Sequence, residues 1–273
     1  MTRSIRLIAD DYGLSPGVSD AILDLIGRGR LTGTSCMTGF PEWEQAAERI
    51  KPFVGRAAIG LHLTLTDQPA LTAPSGLAPQ GQLPSLGELA SPLKRRRFGT
   101  IDIHTELDAQ HRRFVEALGR EPDSIDGHQH VHFLPVVRDW LKMRFAGSQR
   151  PMLRGAPVLS RGVGVTALKV ATIAALARGF DRSMQAAGFS AMKPLAGIYD
   201  WRRPSDFAPT VRRAVEGLPE GGVFMCHPGH VDAILATRDP MQAVRRAEYD
   251  FLASEEFGTM LDAAGVSIQG GTR

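Results

Sequence analysis

The sequence predicts an α/β fold: a (β/α) TIM-like barrel of mostly parallel strands. Three observations carry this. Short apolar runs alternate with segments of helical periodicity along the whole chain. About seven of those runs read as buried strands, which suits a barrel. Polar residues that an apolar strand does not need stand at several strand ends: Asp10 and Asp11, His62, Asp126 to His132, and His227. In parallel α/β folds chemistry gathers at the carboxyl ends of the strands. The chain has 273 residues and no break in composition, so residues 1–273 read as one domain.

The elements follow in order. Arg6-Leu7-Ile8-Ala9 is a short buried strand stopping at Asp10-Asp11. Ser15 then suits a helix N-cap and Pro16 the first helical position. Val18, Ala21, Ile22, Leu25 and Ile26 form its apolar stripe. Thr34 to Thr38 is a second strand, and 41–50 a short helix. Residues 58–65 are a third strand, in which His62 interrupts an apolar run. Taken alone, that histidine reads as a buried structural residue. Residues 66–99 carry many prolines and glycines with little periodicity. A loop of that length in a compact fold is usually functional, and it is expected near the mouth of the site.

Residues 100–119 read as a helix with Leu107, His111, Phe114, Val115 and Leu118 on one face; His111 packs and His104 faces solvent. Ser124-Ile125-Asp126 starts the next strand, and a helix follows from 133 to 144. The stretch 150–165 reads as irregular, and 166–187 as one long helical region. A helix at 205–217 precedes Gly222-Val223-Phe224-Met225-Cys226, a buried strand ending in His227. Asp239 and Pro240 cap a helix to 253. A last helix and the strand Val266-Ser267-Ile268 close the chain.

Composition narrows the function. Hydrophobic residues make up 43%, charged residues 22%, and the net charge is +3, so a substantial core is available and no strong polyelectrolyte partner is indicated. Lys94-Arg95-Arg96-Arg97 is a solvated loop without interleaved aromatics, which argues against a nucleic-acid partner. Two cysteines argue against a disulfide framework, and a cytoplasmic setting is expected. The amino terminus lacks a signal-peptide run. The most apolar helical stretch, 166–176, is far short of the ~20 residues that span a bilayer, so no transmembrane segment is expected.

Asp126-Gly127-His128-Gln129-His130-Val131-His132 holds three of the eight histidines. If extended, it projects Asp126, His128, His130 and His132 from one face. A carboxylate and two imidazoles from different strand ends make a three-ligand site for a divalent cation, with positions left for water and substrate. A spare carboxylate beside it can act as base, and a separate histidine can donate a proton. Adjacent Asp10 and Asp11 therefore suggest a division of labour between base and ligand.

Ile8 to Ser15, Gly60-Leu61-His62-Leu63-Thr64-Leu65, Asp126 to His132 and Cys226-His227-Pro228-Gly229 together resemble the four motifs of YdjC-like carbohydrate deacetylases, the group of chitooligosaccharide and hopanoid-associated deacetylases. The resemblance implies a distorted (β/α) barrel and metal-dependent removal of N-acetyl groups from amino sugars. It implies Asp11, His62 and His128 as metal ligands, Asp10 as general base and His227, protonated, as general acid. It places Asp126, His130 and His132 behind the ligands or at the substrate. Gln129 stands where some members carry another histidine, and should point away from the row.

One divalent ion is expected, Mg or Zn first, with Mn, Co and Ni also suited. The expected substrate is a chitooligosaccharide or another amino sugar, with a glycolipid as a further candidate. A homodimer rests on the resemblance alone. Two other readings share these residues: a metal-dependent hydrolase of a non-sugar amide or imide, and a non-catalytic metal-dependent sugar-binding protein. The latter needs neither a spare base nor an acid.

Overall fold

A computed structural model of the protein describes residues 3–268 apart from 92, 93, 95 and 158–164. Arg95 of the basic run and most of the glycine-rich end of 150–165 therefore lie outside the described residues. One sheet organises the fold, in the order β6-β5-β4-β3-β2-β1-β8-β7, with β9 added beside β1. The strands are β1 (Arg3–Tyr12), β2 (Gly33–Cys36), β3 (Ala58–Leu63), β4 (Ser124–Gly127), β5 (Met152–Arg154), β6 (Ala191–Met192), β7 (Leu195–Ala196), β8 (Val223–Cys226) and β9 (Val266–Ile268). Neighbouring strands run parallel. The two ends of the sheet nearly meet: Pro157 bridges to Leu195, whose N–H donates to Ala156 O at 3.2 Å. The result is a nearly closed, distorted barrel ringed by helices.

The helices are α1 (Pro16–Gly27), α2 (Trp43–Ile50), α3 (Leu86–Ala90), α4 (Thr100–Leu118), α5 (Pro135–Arg144), α6 (Val165–Leu176), α7 (Phe180–Ala186), α8 (Phe207–Gly217), α9 (Ala233–Arg238), α10 (Gln242–Ala253) and α11 (Glu255–Ala263). The first turn of α1 forms as its sequence dictates. Ser15 Oγ accepts from Val18 N at 3.2 Å, and Pro16 occupies the position where a missing N–H costs nothing. Val18, Ala21, Ile22 and Leu25 then bury one face against the barrel. Each large aliphatic side chain so buried contributes about 1.5–3 kcal/mol.

Register delivers the polar strand ends to one rim. Ala9 lies beside Cys226, Leu61 beside Ile125, and His62 beside Asp126. Gly60 permits the last pairing, since a Cβ there would fall 2.5 Å from Ser124 Oγ and 2.9 Å from Ser124 O.

Several expectations change. The sheet has nine strands, because β5, β6 and β7 are two or three residues long and show no period. Part of the stretch read as irregular is thus the strand β5. The long helical region is two helices, parted where Gly179 takes φ 71°. Helix α9 was not expected, and α10 starts at Gln242, with Asp239 Oδ1 accepting from Met241 N at 2.8 Å. His104 does not simply face solvent, because its Nε2 sits 3.0 Å from Val136 O. His111 is buried, as its place on the α4 stripe requires, and its Nε2 lies 2.6 Å from Glu121 Oε2. Among the described residues no helix is long and apolar enough to cross a membrane.

Candidate metal centre

Asp10 and Asp11 are consecutive, so a regular strand would send them to opposite faces. The β1–β2 register shifts between Ala9 and Tyr12, and Asp11 takes φ 69°. This bulge brings both carboxylates to one cavity. The same cavity takes His62 from β3, His128 from just beyond β4 and His227 from just beyond β8, and measures about 820 Å³. A wider hollow of about 910 Å³ on α4 and α5 contains none of these groups.

Asp11, His62 and His128 place one ligand atom each within 4.8 Å of one another. Asp11 Oδ1 stands 3.2 Å from His62 Nε2 and 3.4 Å from His128 Nδ1. Yet this buried oxygen accepts no well-directed hydrogen bond. Bonds of about 2.0–2.2 Å from one cation would separate neighbouring N and O ligand atoms by about 3.0–3.5 Å. The cluster therefore fits a divalent ion. A second grouping, Asp10 with His62 and Asp126, also lies within 4.8 Å. There Arg154 already supplies the positive charge.

Supporting contacts fix the orientation of these groups. His62 Nδ1 lies 2.7 Å from Asp126 Oδ1 and 3.1 Å from Ser35 Oγ. A proton on Nδ1 leaves the Nε2 lone pair turned toward Asp11. Arg245 Nη2 donates to Asp11 Oδ2 at 2.6 Å and its Nε to Asp239 Oδ2 at 2.7 Å. Arg154 grips both oxygens of Asp10, at 2.6 and 2.5 Å, and also touches Asp126. Four carboxylates thus face two guanidiniums, leaving an excess of two negative charges. Burial disfavours protonation of His62, but Asp126, Asp11 and Asp10 outweigh it and push its pKa up to about 10.

Asp10 is buried, which alone would raise its pKa, but Arg154 holds it well below the usual carboxylate range. His227 Nε2 stands 3.8 Å from Asp10 Oδ2. Burial lowers the His227 pKa to about 4 despite Asp10 and Asp11, so its imidazole is neutral at pH 7. Trp201 packs edge-on against it at 4.8 Å. From behind, Glu248 on α10 accepts from the His227 backbone N–H and from Tyr199 Oη, the latter at 2.5 Å.

The extended histidine row does not form. Strand β4 ends at Gly127, and residues His128–Phe133 make a 3₁₀ turn with Gln129 and His130 at φ 50° and 62°. His128 reaches the Asp11–His62 pair. His130 lines the cavity with its Nδ1 unpaired, and burial followed by Arg154 lowers its pKa to about 3. His132 does not reach the cavity. It is fully buried against Phe133, at 3.9 Å, and Phe180, at 5.6 Å, with neither ring nitrogen bonded. Two places are expected for it, behind the ligands or at the substrate, and its surroundings are aromatic side chains rather than cavity wall. Gln129 does leave the row, toward Asp67. The loop 66–99 supplies Asp67, Gln68 and Leu86 to the cavity.

Sequence reasoning missed Arg154, Arg245, Ser35 and Glu248. One signal existed for two of them. On α10 the buried stripe is Val244, Arg245, Glu248 and Leu252, and two charges on an otherwise apolar stripe call for partners.

The pattern of the YdjC-like protein family matches residues 4–263. A chitooligosaccharide deacetylase of Citrobacter koseri is 33% identical over 56% of this chain and 60% of its own length. One of Serratia marcescens is 30% identical over 86% of this chain and 85% of its own. A crystal structure of a candidate cellobiose-phosphate cleavage protein from Enterococcus faecalis V583 superposes with TM-score 0.71 at 22% identity, covering 99% of this chain and 98% of that one.

Proposed function

The chain belongs to the YdjC-like protein family, and on that premise we propose that it is a divalent-metal-dependent carbohydrate deacetylase. It hydrolyses the N-acetyl group of an amino sugar, a chitooligosaccharide in the first instance, to acetate and a free amine. The observation that carries the reading is the Asp11–His62–His128 grouping beside an ionised carboxylate, Asp10, that the grouping does not use.

Asp11, His62 and His128 would hold the ion, which would supply Lewis acidity toward water and the acetamide carbonyl oxygen. Mg and Zn come first, and Mn, Co and Ni also suit the donor set. Asp10, kept in place and ionised by Arg154, takes the proton from the water as its oxygen bonds to the carbonyl carbon. The C–N bond then breaks, and the departing nitrogen needs one proton. His227, whose Nε2 stands 3.8 Å from Asp10 Oδ2, is the group placed to deliver it as general acid. Asp126 and Ser35 hold the His62 ring, and Arg245 keeps Asp11 Oδ1 turned to the cluster.

A glycolipid is the second reading, favoured by Leu168, Ile173 and Leu176 of α6 on the cavity wall. A cytoplasmic setting accords with Cys36 and Cys226, both buried thiols. The test is acetate release from diacetylchitobiose by metal-stripped protein, with Zn, Mg, Mn, Co or Ni restored singly. One or more ions restore release, and Asp10→Asn abolishes it while still binding the ion. Full activity of stripped protein or of Asp10→Asn would refute the mechanism.

A further inference from the structure

Among the described residues four non-glycine positions adopt the left-handed backbone: Asp11 at φ 69°, Asp67 at 56°, Gln129 at 50° and His130 at 62°. All four line the same cavity. Such strain gathers where side-chain placement outweighs backbone comfort. Asp11 and His130 flank the proposed reaction centre, but nothing in the mechanism uses Asp67 or Gln129. Glycine would relieve both positions if only the course of the rim mattered.

Their side chains meet across two loops, with Gln129 Nε2 donating to Asp67 Oδ2 at 2.9 Å. Both residues are exposed, so neither is retained for packing. Nor does the loop depend on their side chains. Its backbone is already tied by Asp67 N to Pro84 O at 3.2 Å and by Leu83 N to Gln68 O at 2.9 Å. Asp67 Oδ1, Gln129 Oε1 and the second amide N–H make no hydrogen bond with the described residues. Two acceptors and one donor therefore stand together at the mouth of the cavity. Adjacent hydroxyls, each able to donate and accept, complement such a set.

Resting on the deacetylase reading, we infer that Asp67 and Gln129 form a clamp for vicinal hydroxyls of the substrate's sugar ring. The clamp selects an uncharged sugar over a simple amide. The Asp67 carboxylate accepts from the hydroxyls, and its charge turns away an anionic group at the same place.

The test uses Asp67→Gly and Gln129→Gly, which suit the left-handed backbone and remove only the side chains. Three readouts separate the outcomes: KM and kcat for diacetylchitobiose, Kd for the same sugar on metal-stripped protein, and thermal midpoint. Each variant is expected to raise KM and Kd about tenfold, as loss of a hydrogen bond to a charged group does. Expected alongside are a kcat within about twofold and a thermal midpoint unchanged or higher. Unchanged KM and Kd overturn the clamp while leaving deacetylation standing. A lowered midpoint with unchanged Kd also overturns it, showing a purely structural bond. No acetate release by wild type with any ion, from diacetylchitobiose or from an N-acetylated glycolipid, overturns both the clamp and the deacetylase reading.

Discussion

Glu248→Gln should make stability less dependent on pH. Glu248 is fully buried, and its pKa rises from an ordinary 4.5 to about 7. Burial is the main cause and Asp10 adds to it, while the hydrogen bonds from Tyr199 and His227 N and the charge of Arg245 oppose it. A raised carboxyl pKa means that the folded protein holds the proton more tightly than the unfolded chain. Its contribution is complete below pH 4.5 and is lost as pH rises toward about 7. At about 1.4 kcal/mol per pH unit, the gap between 4.5 and about 7 amounts to about 3 kcal/mol. Glutamine has no proton to lose. Its oxygen can accept from His227 N, and its amide can donate to Tyr199 Oη. Urea denaturation of both proteins at pH 5, 6, 7 and 8 should show the variant gaining about 2–3 kcal/mol on wild type across the series. A difference constant to within about 0.5 kcal/mol would show that Glu248 does not carry a raised pKa.

Three further outcomes are expected. Arg154→Met leaves Asp10 and Asp126 buried without their guanidinium, and should cost about 3–5 kcal/mol in urea denaturation at pH 7. Asp11→Asn and His128→Ala should each weaken Zn binding, read by calorimetric titration, by more than the roughly 10–100-fold that loss of a supporting partner costs. His132→Leu removes two unpaired buried nitrogens. It should keep or raise stability, by up to about 1–3 kcal/mol, and leave acetate release unchanged. A loss of release there would show that His132 acts on the site.

Much of the site was legible because it obeys strand logic. His62 betrays itself as a polar residue in the apolar run Ala58 to Leu65, and Asp10-Asp11 ends the apolar run of β1, although the strand itself continues to Tyr12. The order of strand and helix follows from the alternation of apolar periods. The histidine segment misled because its turn is made by Gln129 and His130 at positive φ, where sequence rules look for glycine or asparagine. Arg154 stayed hidden in a three-residue strand too short to show a period. Arg245 lies on the buried stripe of α10, and only the tertiary fold sets it against Asp11 and Asp239.

The bulge in β1 has a consequence for anyone who substitutes Asp11. Backbone shape and side chain are entangled there. Alanine, reluctant to hold φ 69°, invites the strand to relax into an even pleat, which would rotate Asp10 out of place as well. Asparagine tolerates the left-handed turn and changes only the charge. The neighbours are thus one mechanical part, and a variant that frees the hinge reports on both residues at once.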